Sequence, residues 1–358
     1  MHIKYKKPDF TNQTIYVGID VHKKSWNVSI LTDDIVVETF NQPPEPSKLV
    51  AHLRRNYPGA TYRAVYEAGY FGYWIYDALR NDGIECEIAN PLDIPTKDKE
   101  RRYKSDRIDS RKLGRGLRNG DLELIFVPPK EYRYARTLTR GREQFIRKQT
   151  RCKNQIKALL SYYGYNIINV KDTKSHWSRL FIKQLQELKV EDQSVRSTLD
   201  NLITELLYLR ELTLNFTKQI RTLSRTPLFQ EEVRLLDSIP GISELSAMVI
   251  LSEIVSIDRF KSLDKLASYF GLVPTCHSSG ESEVDGELTE RGNSYLRYII
   301  IELAWIAIRK DPALLEKFQK LSRRMKKQVA IVAIAKNLLN RIRYVLKNKK
   351  PYVKAVSS

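Results

Sequence analysis

The chain has 358 residues, enough for two or three domains that each bury a core. Its 61 Lys+Arg against 42 Asp+Glu give a formal charge of +19, which points to a polyanionic partner, nucleic acid above all, and speaks against a soluble metabolic enzyme. Three distant cysteines, five scattered histidines, a polar start (MHIKYKKPDF) and a longest apolar run of only residues 298–308 lead us to expect no disulfide framework, zinc module, signal peptide or membrane span. The expectation is a cytoplasmic, reduced protein with no membrane partner.

Residues 14–20 (TIYVGID) and 25–32 (SWNVSILT) alternate as two strands across a short turn, and DIVVETF (34–40) reads as a third. SKLVAHLRRNY (47–57) is amphipathic at helical spacing, RAVYE (63–67) is a short strand, YWIYDALRND (73–82) is a helix stopped near Gly83, and IECEIAN (84–90) is a strand ending at Pro91. The order β-β-β-α-β-α-β-α predicts a mixed sheet flanked by helices.

Four carboxylates fall at informative places in this order. Asp20 and Glu67 end apolar strands, while Asp106 and Asp109 open SDRIDSRKLGRGL three residues apart, on one face of a helix's first turn. Such a set can cage hard divalent cations such as Mg²⁺, and a two-metal site clamps both sides of an in-line phosphoryl displacement. Acids in a first helical turn also complement the macrodipole, so spacing alone leaves both readings open.

The character changes after Pro128-Pro129. Residues 131–226 are almost free of Gly and Pro, with Leu199, Leu202, Leu206, Leu209, Leu212 and Phe216 at steps of three and four. That stripe predicts long helices packed as a coiled-coil hairpin or dimerisation arm. Basic clusters lie at 97–104, 133–153 and 323–327, and several of the 20 tyrosines stand among the cations, where bases can stack.

Beyond Pro227, two apolar helices flank IPGIS (239–243) in the manner of a helix-hairpin-helix, whose second helix N-terminus can hold a phosphate; a plain helix connection fits as well. LDKLASYFGLVP leads into a polar stretch, 275–287, expected as a loop, and helices run to the end. Ser279 stands directly before Gly280, with its hydroxyl poorly covered, yet a serine needs a base or metal to become a nucleophile. Taken alone, Ser-Ser-Gly is ordinary loop chemistry.

Six segments occur in the order found in one family: YVGIDVHKKSW, YEAGYFGYWIYDAL, KSDRIDSRKL, LLDSIPGIS, YFGLVPTCHSSG and TERGNSYLR. The chain resembles the DEDD insertion-sequence transposases, also called bridge recombinases, over about residues 14–127 and 231–310. The resemblance implies an α/β RNase H-like (RuvC-like) domain at 1–128, a helical coiled-coil or dimerisation region at 129–228, and a mainly α transposase domain at 229–358. It implies Mg²⁺ bound by Asp20, Glu67, Asp106 and Asp109, with Ser279 as the catalytic serine that forms a covalent phosphoserine link to DNA. The implied partners are donor and target DNA, a structured guide (bridge) RNA, and further copies of the chain, as a dimer and a synaptic tetramer acting at the nucleoid. Ser110 stands where alanine is usual, and Glu290 precedes Arg-Gly-Asn where a basic residue is common.

Three other readings share parts of this pattern. A RuvC-like structure-specific nuclease uses the same acids with water as nucleophile. A sugar-kinase-like ATPase shares the GID strand but needs a second Gly-rich phosphate loop that is missing here. A purely nucleic-acid-binding protein leaves the acids without purpose.

Overall fold

A computed structural model describes residues 9–94, 106–165, 177–279, 282–289 and 291–353. The basic cluster at 97–104 and Glu290 lie outside the described residues. The chain divides into two compact units, residues 1–127 and 128–358.

The first unit is built on a five-stranded mixed sheet in the order β3-β2-β1-β4-β5. Its strands are β1 (Thr14–Val21), β2 (Trp26–Leu31), β3 (Val36–Gln42), β4 (Thr61–Glu67) and β5 (Glu85–Ala89). β1 pairs antiparallel with β2 and parallel with β4, so the two strands that end in Asp20 and Glu67 are central neighbours running the same way. Side-chain alternation then assigns the faces. Ile15, Val17 and Ile19 of β1, with Ala64 and Tyr66 of β4, meet helices α1 (Pro46–Asn56) and α2 (Trp74–Asn81) through Leu49, Leu53, Ile75 and Leu79. The opposite face carries Tyr16 and Val65, which pack on Leu113 and Leu117 of helix α3 (Asp106–Asn119). Helices thus cover both faces, as the sequence order predicts.

The second unit is mainly helical. α4 (Lys130–Tyr162) and α6 (Gln193–Ser224) run antiparallel, since Arg142 donates to Thr217, Phe145 stacks near Phe216 and the Cys152 thiol meets the Leu202 carbonyl. α5 (Arg179–Glu187) covers one end of the pair. There Cys152, Ile156, Leu160, Phe181, Leu185, Leu199, Leu206 and Leu209 form a separate apolar cluster. Much of the leucine stripe is therefore satisfied within the chain. Leu206 is fully buried in it, while Leu207 and Leu214 on the other side of α6 are 42% and 60% exposed.

The larger core of this unit joins Ala135 of α4 and Ile220 of α6 to α7 (Gln230–Asp237), α8 (Glu244–Ile254), α9 (Leu263–Tyr269), α10 (Ser294–Ala307), α11 (Pro312–Ser322) and α12 (Lys327–Asn348). IPGIS makes the turn between α7 and α8. Gly241 sits there at φ +100°, and an added Cβ would come within 3.0 Å of the Ala307 backbone nitrogen, so glycine is needed twice over. Ser243 then caps α8 in a capping box with Ser246.

The polar stretch at 275–287 is the main departure from expectation. It is a hairpin, β6 (Pro274–Ser279) against β7 (Ser282–Leu288), rather than a loop. Its many Ser, Glu and Gly residues mask the strand signal, because two-stranded ribbons need no buried apolar face. No helix among the described residues is long and apolar enough to cross a membrane.

Candidate metal centre

The first unit gathers its acids by backbone approach. Gly18 faces α3, two residues before Asp20 on β1, and an added Cβ would lie 2.0 Å from the Ser110 carbonyl oxygen and 2.4 Å from the Gly114 nitrogen. Gly114 is equally closed in, with Leu31 Cδ1 2.3 Å from the position of its missing Cβ. Two glycines thus let helix and strand touch backbone to backbone. The buried Ser110 adds a side-chain tie, its hydroxyl 2.7 Å from that of Ser29 on β2, which in turn is 3.0 Å from Thr39 on β3. Ser110, unusual for the family resemblance, is thus a fastening between helix and sheet.

This packing delivers the first turn of α3 to the end of β1. Asp20, His22 and Asp106 each offer a ligand atom, and these atoms all lie within 4.8 Å of one another. His22 Nε2 is 3.1 Å from Asp20 Oδ2 and 3.8 Å from Asp106 Oδ2, and Asn27 on β2 donates to Asp106 at 3.5 Å. Burial pushes the Asp20 carboxyl above the usual carboxylate range; His22 opposes this, and the nearby charges of Asp106 and Asp109 add to it. A carboxylate held up by burial and by like charges is one that a cation would relieve.

Asp109 lies one turn along α3 and pairs with Lys112 at 3.5 Å. Glu67 follows Tyr66, the partner of Ile19 in the parallel ladder, so it stands beside Asp20 on the face toward α3. Glu67 is exposed and, like Asp109, lies outside the group of three among the described residues. The donors present, carboxylate oxygens and one imidazole, fit a divalent cation of hard or borderline character. His22 escaped the sequence reading. It lies inside the YVGIDVHKKSW segment, but nothing in that pattern marks it as a ligand, and only the β1–β2 hairpin brings it back over Asp20.

Ser279 belongs to the second unit, at the end of β6, where its backbone pairs with Ser282; its side chain lies outside the described residues. The base of that hairpin is firmly tied. Thr289 N–H donates to the Val273 carbonyl at 3.0 Å and Asn293 N–H to that of Tyr269 at 2.8 Å. Gly292, at φ +105°, lies against Gly271, where a Cβ would approach to 2.8 Å. Asn293 caps α10 and donates at 3.0 Å to Glu253, a fully buried carboxylate that also accepts two bonds from Arg140 at 2.6 and 2.9 Å. The GLVP and RGN segments are thus held together by backbone contact, and one buried acid ties Asn293 of RGN to Arg140 of α4.

Two family models match the chain. One, described as a transposase of the DEDD IS110 type, matches residues 17–164, and the other, described as the transposase IS116/IS110/IS902 family, matches residues 233–319. Together they span about two thirds of the chain, and they cover the acids and the hairpin serine respectively. The chain belongs to the DEDD IS110 transposase family. It is 27% identical over 368 residues to y4rJ of Sinorhizobium fredii, which bears the name of a transposase, covering 91% of this chain and 90% of that one. A second such protein of the same organism, y4qE, is 28% identical over 67% of this chain and 57% of its own length. The transposase for insertion sequence element IS1111A of Coxiella burnetii is 25% identical over 66% of this chain and 63% of its own length.

Proposed function

We propose that the protein is the RNA-guided recombinase of an insertion sequence, cutting and rejoining DNA with an acidic metal site and a serine nucleophile. The observation that carries this reading is the meeting of Asp20 and Asp106, with Asp109 adding its charge and Glu67 on the neighbouring strand end. The mixed sheet with helices on both faces is taken as an RNase H-like (RuvC-like) domain, and the α4–α6 pair as a coiled-coil arm of a dimer that forms a tetramer in synapsis. Domain roles divide at 1–128, 129–228 and 229–358 in this reading.

Asp20, Glu67, Asp106 and Asp109 would hold a divalent cation such as Mg²⁺, which would supply Lewis acidity at the phosphoryl oxygens and ease departure of the leaving oxygen. Ser279 Oγ attacks phosphorus; an Oγ–P bond forms, a P–O bond of the DNA backbone breaks, and the serine proton passes to the departing oxygen through solvent or a neighbouring base. The phosphoserine keeps the energy of the broken bond, so attack by another DNA hydroxyl rejoins a strand and regenerates the serine. The +19 charge supports binding of donor DNA, target DNA and a structured guide RNA along their phosphates. The protein acts in the cytoplasm, at the nucleoid.

Asp106→Asn tests the acidic site. It keeps the size of the side chain and removes one charge, so divalent-dependent strand cleavage is lost while nucleic-acid affinity changes little. Normal cleavage by Asp106→Asn overturns the assignment. A RuvC-like nuclease that activates water is the second reading, and it predicts cleavage that does not need Ser279.

A further inference from the structure

We propose that His22 is a third ligand of the Asp20–Asp106 cation site, so that this chain prefers a first-row transition ion such as Mn²⁺ over Mg²⁺. The inference rests on the acidic-site reading above and concerns which ion that site takes.

The geometry supplies the argument. In an octahedral site with bonds of about 2.1 Å, cis ligands lie about 3.0 Å apart and trans ligands about 4.2 Å apart. His22 Nε2 is 3.1 Å from Asp20 Oδ2, a cis separation, and 3.8 Å from Asp106 Oδ2, between the cis and trans values, so a small turn of the exposed side chains brings all three onto one ion. The ring is set by local structure. His22 follows directly on β1, and its backbone N–H donates to the Ser25 carbonyl at 3.2 Å, closing the turn into β2. Asp106 in turn is steadied by Asn27 from β2. The His22 side chain is 53% exposed, so waters have access to complete a coordination shell.

A plain histidine–aspartate pair would show the 3.1 Å contact too, but at this exposure solvent screens it to little net worth. The donor chemistry then sets the preference. Mg²⁺ takes oxygen and keeps its waters, whereas imidazole favours transition ions.

The test is Mn²⁺ titration of the full chain followed by electron paramagnetic resonance, with spin-echo modulation reading directly bound nitrogen. The wild type should show ¹⁴N coupling from one imidazole. His22→Gln should lose that coupling and bind Mn²⁺ about tenfold more weakly, with Mg²⁺ affinity changed by less than about twofold. The half-exposed position leaves the core untouched, and the wild-type signal alone already decides whether nitrogen is bound. Mn²⁺ binding without ¹⁴N coupling, or unchanged Mn²⁺ affinity in His22→Gln, overturns the role of His22 and leaves the carboxylate site standing. Mn²⁺ binding that survives Asp106→Asn, or no Mn²⁺ binding by the wild type, overturns the acidic-site reading itself.

Discussion

Gly18→Ala is the smallest change that separates the acids without touching one. Its methyl group would sit 2.0 Å from the Ser110 carbonyl oxygen, against 3.4 Å where ordinary contact begins, so α3 must retreat by about 1.4 Å. Both colliding groups are backbone, which leaves no flexible side chain to swing aside. Overpacking of this kind costs about 1–3 kcal/mol, or roughly 4–12 °C in melting temperature for a unit of this size. The retreat carries Asp106 and Asp109 away from Asp20. Misplacement of about 1 Å at a reacting centre costs roughly 100-fold in rate, so cleavage should fall far more than stability does. Calorimetry and divalent-dependent strand cleavage measure the two effects side by side. Gly69→Ala, with nothing within 4 Å of its added Cβ, is the matched control and should behave as wild type. A Gly18→Ala protein with normal cation affinity and cleavage would refute the view that this contact sets the site.

Leu206→Asp places a charge in the fully buried cluster between α4, α5 and α6 and should lower stability by about 3 kcal/mol or more, whereas Leu207→Asp, on the exposed side, should cost less than about 0.5 kcal/mol. Denaturant titration compares them, and equal effects would contradict the packing described. Affinity for nucleic acid should fall with salt at a log–log slope of about −0.7 to −0.9 per phosphate neutralised, measured by fluorescence anisotropy. Indifference to salt would remove the +19 charge from the account of binding.

The sheet was legible because its signals are local. Apolar alternation in TIYVGID and RAVYE gives both the strands and the positions of Asp20 and Glu67 at their ends. The helical spacing of Asp106 and Asp109 was equally plain. What escaped depends on contacts distant in sequence. His22 meets Asp106 only after α3 has packed on the sheet, and the tie between Ser29 and Ser110 spans 81 residues. The leucine stripe was visible, but periodicity cannot say which helix covers it, and α4 and α5 of the same chain cover Leu199, Leu206 and Leu209. The β6–β7 hairpin failed as a prediction because its residues are polar, and strand signals rest on burial.

We propose above that a serine of this chain, and not water, attacks the phosphate. End-labelled donor DNA, incubated with the protein, RNA transcribed from its insertion sequence and a divalent cation, is resolved on a denaturing gel before and after protease. Wild type should give a slow, protease-sensitive protein–DNA adduct, retained by Ser278→Ala and absent from Ser279→Ala, with fold and binding unchanged. Loss of the adduct in Ser278→Ala alone would move the nucleophile by one residue. Cut DNA with no adduct, or normal cutting by Ser279→Ala, would contradict the serine mechanism and leave a nuclease that uses water.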